Sequence, residues 1–155
     1  MAVMQGWDAY EQAEAEMAAK GLALIHQRGD GEGLLATVAA NGTPRLHPLN
    51  VGVRDGRLLV FVQGQSAKAR DLRANPHYAL HAHQDPKSPH EFMVRGQASL
   101  VTDKAIRQAA ADDWYFTPDD SYPLYELLLE HVLLGERDSA DDWPPRYRSW
   151  RSAAT

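Results

Sequence analysis

The sequence predicts a mainly β (α+β) domain: a closed or nearly closed six-stranded antiparallel barrel with short flanking helices. Two turn signals carry most of this reading. Asn41-Gly42 and Asp55-Gly56 each separate two apolar runs, and both dipeptides suit the positive φ angles of a tight hairpin. Two such turns in close succession mark an antiparallel meander rather than alternating strand and helix. The third observation is patterning. Phe92, Val94, Gly96, Ala98 and Leu100 share one face of a strand, and Arg95, Gln97 and Ser99 share the other. Closure of such a sheet also removes its exposed edges.

The elements follow in order. Trp7, Tyr10, Ala13 and Met17 recur at helical spacing and form one apolar stripe, with Gly21 as the expected stop. Arg28-Gly29-Asp30-Gly31-Glu32-Gly33 reads as a loop. Strands are expected at Leu34–Ala40, Arg45–Val53, Leu58–Gln63, Tyr78–His83 and Phe92–Val101. Ser66 can cap a helix that Asn75-Pro76 ends, and Asp103 a second one through Ile106, Ala110 and Trp114. Leu124–Leu134 satisfies both the strand and the helix period, and its partial alternation favours a sixth strand. The prolines at 144 and 145 predict an irregular tail. The expected organisation is a single domain over 1–155: an N-terminal helix and loop (1–33), the barrel (34–134) and the irregular tail (135–155).

Composition narrows the function. With 155 residues, 44% of them hydrophobic, the chain can bury one core. A net charge of −5 argues against general nucleic-acid affinity, which requires a basic footprint. The absence of cysteine excludes disulfides, thiolate metal sites and cysteine nucleophiles. The acidic opening segment has no apolar run, so neither a signal peptide nor a membrane span is expected, and the cytoplasm is the default location. His81 and His83 share a strand face, but spacing fixes no third ligand, so no metal site is expected.

Two segments can carry chemistry. Ser66-Ala67-Lys68-Ala69-Arg70 puts a hydroxyl and an ammonium in the first turn of a helix, where free N–H groups favour an anion. A plain serine cap with a solvated basic face is the competing reading. In Arg45-Leu46-His47-Pro48-Leu49-Asn50, Arg45 and His47 point to one side and can line one pocket, and Pro48 restricts the strand to an edge or a bulge. The alternative is a surface strand with exposed polar groups.

The ordered combination of Asn41-Gly42-Thr43-Pro44-Arg45, Ser66-Ala67-Lys68-Ala69-Arg70-Asp71-Leu72-Arg73-Ala74-Asn75-Pro76 and Phe92-Met93-Val94-Arg95-Gly96-Gln97-Ala98 resembles the FMN-binding split β-barrels related to pyridoxamine 5′-phosphate oxidase. The resemblance covers roughly residues 34–134. It implies an FMN-dependent oxidoreductase that is a homodimer, with cofactor sites between subunits and a small-molecule substrate. Arg45, Leu46, His47, Pro48, Leu49 and Asn50 match residues along the flavin and its phosphate tail. Phe61 and Val62 match positions beside the isoalloxazine ring, and Ser66 and Lys68 match phosphate-binding positions. Trp150 with Arg151 resembles an aromatic-basic pair from the partner. Glu91 stands where the vitamin-forming oxidases carry glutamine, and their C-terminal motif is not evident, so the resemblance implies the flavin pocket and not pyridoxamine phosphate oxidation. No catalytic residue is marked. A non-catalytic flavin-binding or sensing module, or a deazaflavin-dependent reductase, fits the same motifs.

Overall fold

In the computed structural model, which describes residues 3–153, the chain orders itself around one curled antiparallel sheet. Its strands are β1 (Glu32–Val38), β2 (Pro44–Asn50), β3 (Gly52–Arg54), β4 (Arg57–Phe61), β5 (His77–Ala82), β6 (Glu91–Leu100), β7 (Leu124–Glu136) and β8 (Arg146–Arg151). The helices are α1 (Trp7–Ala13), α2 (Ala15–His26), α3 (Ala67–Ala74) and α4 (Lys104–Asp112). Strand order is β2-β1-β5-β6-β7-β4-β3, with β8 paired to β7. The two ends of this order, β2 and β3, are consecutive in sequence and separated only by Val51. The chain itself therefore bridges the two sheet edges, which is how a split barrel closes without a continuous ladder.

Both turn signals hold. Gly42 has φ 89°, and Asp55 and Gly56 have φ 51° and 73°, the left-handed conformations that a tight hairpin requires. Ser66 and Asp103 cap α3 and α4 as expected. Leu124–Glu136 is a strand.

Four expectations need correction. There are eight strands among the described residues, not six. The expected strand Arg45–Val53 divides at Val51, because its first part pairs with β1 and its second with β4. The tail is not irregular throughout: Arg146–Arg151 pairs with His131–Glu136, which extends beyond the segment of β7 that β4 covers. The prolines precede that strand and remove no ladder bond from it. Gly21 does not end the N-terminal helix but lies inside α2, where a Cβ would collide with the Phe92 ring. The break falls instead at Glu14, between α1 and α2.

The core lies inside the curl. Trp7, Tyr10, Met17 and Ile25 from the two N-terminal helices pack on Leu35, Leu80, Phe92, Val94, Leu127 and Leu134. A second cluster of Leu59, Phe61, Ala110, Trp114 and Leu124 sits beside it. Along the main core the β6–β7 ladder shifts: Arg95 pairs with His131 but Gly96 with Leu129, leaving Glu130 as an extra residue on β7. Gly96 permits this, since a side chain there would strike the Leu128 carbonyl.

Candidate functional site

The site is built from an edge strand and the start of a helix. Ala39 N–H donates to Thr43 O, and Val51 N–H donates to Gly31 O. With the register of the pair, the odd-numbered residues of β2 therefore bond to β1, and the even-numbered ones turn their peptide groups outward. Pro44 and Pro48 are both even, so neither deprives the ladder of a donor. Pro48 sits on an edge and not in a bulge, because the β1–β2 register is unbroken. The outward edge offers the N–H groups of Leu46 and Asn50 together with the carbonyls of Pro44, Leu46, Pro48 and Asn50. That row of donors and acceptors can pair with the polar edge of a flat heterocycle.

Next to it lies a cleft of 420 Å³ bounded by Pro48, Leu49 and Asn50 of β2, Phe61 of β4, Gln63, Lys68 of α3, and Tyr115, Phe116 and Tyr122. Its size falls within the range of small-molecule sites, roughly 300–1,000 Å³. The aromatic wall is held rigidly. Arg107 donates to the carbonyls of Tyr122 at 2.6 Å and Asp119 at 2.8 Å, and its guanidinium stacks over Phe61 at 5.1 Å.

On the α3 side, a polar network joins three elements. Thr37 Oγ1 donates to Asp71 Oδ2 at 2.7 Å and lies 3.0 Å from His47 Nε2, and Arg45 Nε is 3.1 Å from the same Asp71 oxygen. The threonine hydroxyl has one proton, which goes to Asp71, so Nε2 of His47 must be the donor in the remaining contact. Burial depresses the His47 pKa, and the nearby positive charges of Lys68 and then Arg45 add to this, against the opposing pull of Asp71. Lys68 and Arg45 are thus both near enough to oppose protonation of the ring.

The predicted site residues separate into three groups. Pro48, Leu49, Asn50, Phe61 and Lys68 meet in the cleft. Arg45 and His47 stand beside it in the network, while Leu46 projects from the opposite face of β2 and is 63% exposed. The others are engaged elsewhere. Val62 is fully buried in the main core. Ser66 donates to Gln63 O at 2.6 Å and accepts from Ala69 N–H, as a helix cap does. Trp150 packs on Tyr10 of its own chain, ring centroids 5.3 Å apart. Arg70 and Arg73 bind the carbonyls of Gln65 and Gly64 and so brace the turn before α3. The sequence reading missed Gln63, Tyr115, Phe116, Tyr122, Thr37 and Asp71. The run Trp114-Tyr115-Phe116 was the available signal, because neighbouring aromatics cannot all face one core.

The family model described as pyridoxamine 5′-phosphate oxidase matches residues 30–125, more than half of the chain. The chain belongs to the pyridoxamine 5′-phosphate oxidase family. The matched segment contains β1 to α4 and every residue that bounds the cleft. No curated protein sequence matches the chain. Among solved structures, a heme-binding protein from Mycobacterium smegmatis superposes with a TM-score of 0.63 at 18% identity, over 86% of this chain and 57% of that one. General Stress Protein 26 from Bacillus anthracis gives 0.59 at 22% identity over 83% and 95%. HutZ, the heme storage protein from Vibrio cholerae, gives 0.56 at 17% over 68% and 85%. Proteins with this fold thus carry names of different functions. Among the described residues, no helix is long and apolar enough to cross a membrane.

Proposed function

We infer that the protein binds FMN in the cleft between β2 and α3, in the cytoplasm and as a homodimer, and acts as an oxidoreductase on a small organic substrate. The observation that carries this reading is the convergence of three features at one place. An edge strand with free donors and acceptors, a cleft with an aromatic wall, and two cations at one end match the three parts of a flavin nucleotide: polar ring edge, flat ring and phosphate. When bound, FMN supplies the redox chemistry. The chain's own residues bind and orient it: Lys68 and Arg45 at the phosphate, the β2 edge at the ring, and Phe61, Phe116 and Tyr122 as the wall that excludes water.

The dimer rests on the face of the sheet turned away from the core. Leu34, Ala36, Val38 and Ala79 are only half-buried there, and Leu46 is exposed. A second copy covers such a face and brings its own residues toward the edge of β2. Light scattering at low micromolar concentration should give twice 17.2 kDa. A monomer that still holds FMN tightly removes the shared site.

The spectrum of the purified protein tests the cofactor. Two visible-to-near-ultraviolet bands identify FMN, and one dominant band identifies deazaflavin. A sharp Soret band points to heme, the occupant that the names of two structural neighbours bring into the comparison. Turnover with a reductant and an acceptor separates an enzyme from a flavin-sensing module. Lys68→Ala removes a charge-assisted phosphate contact of about 1.5–3 kcal/mol. FMN affinity should fall roughly ten- to a hundredfold while riboflavin affinity holds. Equal losses place Lys68 away from the phosphate.

A further inference from the structure

We propose that Asp71 is a positioning residue: by holding Arg45, and His47 through Thr37, against α3, it presets the arginine and Lys68 as a pair facing the cofactor phosphate. This rests on the FMN reading above. Among the described residues Asp71 is the only buried acidic side chain, 3% exposed. A buried carboxylate is expensive to keep and stabilises a fold less than an apolar group of the same shape. Its place three residues after Lys68 puts both on one face of α3, one turn apart. Arg45, ion-paired to Asp71 through Nε, is thereby held against the same helix that carries the lysine. Among the described residues, its two Nη groups have no hydrogen-bond partner and remain available as a fork for phosphate oxygens. The Thr37 hydroxyl completes the brace, since it turns its proton to Asp71 and its lone pair to His47.

Simple electrostatics and positioning predict opposite signs. A negative charge near a phosphate repels it, so neutralising Asp71 should tighten FMN if the carboxylate were a bystander. If it positions Arg45, neutralising it should loosen FMN. The test is Asp71→Asn, with FMN and riboflavin titrated separately into the flavin-free protein by fluorescence quenching. We expect FMN affinity to fall about tenfold, riboflavin affinity to hold, and the loss to vanish in an Arg45→Met background. Unchanged or tighter FMN binding overturns the proposal, and so does a parallel loss of both flavins. Thr37→Val removes one hydroxyl while keeping shape, and it should give a smaller loss of the same kind should Asp71→Asn fail to fold. A wild-type protein that does not prefer FMN to riboflavin overturns the phosphate reading itself, and Asp71 then has no phosphate to serve.

Discussion

Two aromatic clusters in this molecule are built from the same kinds of side chain, one sealed throughout and the other open along one side. In the first, Trp7 meets Tyr10 edge-on at 5.2 Å and Phe92 at 6.3 Å, and all three are essentially sealed from water. In the second, Phe61, Trp114, Tyr115, Phe116 and Tyr122 form a ladder with neighbouring centroids 5.0–5.8 Å apart, yet Tyr115 is 52% exposed and three of the rings line the cleft with it. Ring contact alone therefore does not distinguish core from site. A dry cluster spends its whole surface on stability, whereas an open one keeps ring faces for a ligand.

The largest effect expected on this comparison comes from the sealed side. Trp7→Ala should cost about 3–5 kcal/mol, read as a large drop in the urea midpoint. A loss near that of a surface substitution would show that the N-terminal helices contribute little to the core. Tyr115→Ala is the mirror experiment. Stability should move by no more than about 0.5 kcal/mol, while loss of a ring contact loosens FMN and riboflavin alike by roughly two- to tenfold. That equal response is the opposite of the one expected for Lys68→Ala, so the pair of variants maps ring against phosphate. A Tyr115 variant that unfolds, or that leaves both flavins untouched, would break the contrast between the clusters.

The smallest effect is on pH. Burial first, then Lys68, lowers the pKa of His47 in the folded state, so the folded protein binds this proton less readily than the unfolded chain. Stability is then fully present above the ordinary histidine pKa of about 6.5 and is lost as pH falls through the lowered value. His131, depressed by burial and Arg151, works in the same direction from the other side of the sheet. The urea midpoint should fall as the solution is acidified, and His47→Gln should make that fall shallower. An unaltered slope assigns the whole dependence to other groups.

Legibility in the sequence followed the range of the forces involved. The Asn41-Gly42 and Asp55-Gly56 turns, the caps at Ser66 and Asp103, and the strand at Leu124 are settled by neighbours in the chain, and those readings agree with the structure. Lys68 and the Pro48–Asn50 strand, apart in the sequence, line one cleft in the structure. The helix reading failed at Gly21, where the deciding partner is Phe92, far along the chain. The tail was misread because β8 exists only where β7 outruns β4.

The sequence by itself determined a cysteine-free antiparallel sheet with two tight turns, two capped helices and its family. Only the tertiary structure decided three further things. It divided one strand between two sheet edges at Val51, and it sent Val62 and Trp150 to core and packing. It also set Asp71 under Arg45. Each of those depends on a contact between residues distant in sequence, where burial and charge pairing are fixed by how the sheet curls and by nothing that a neighbouring residue can announce.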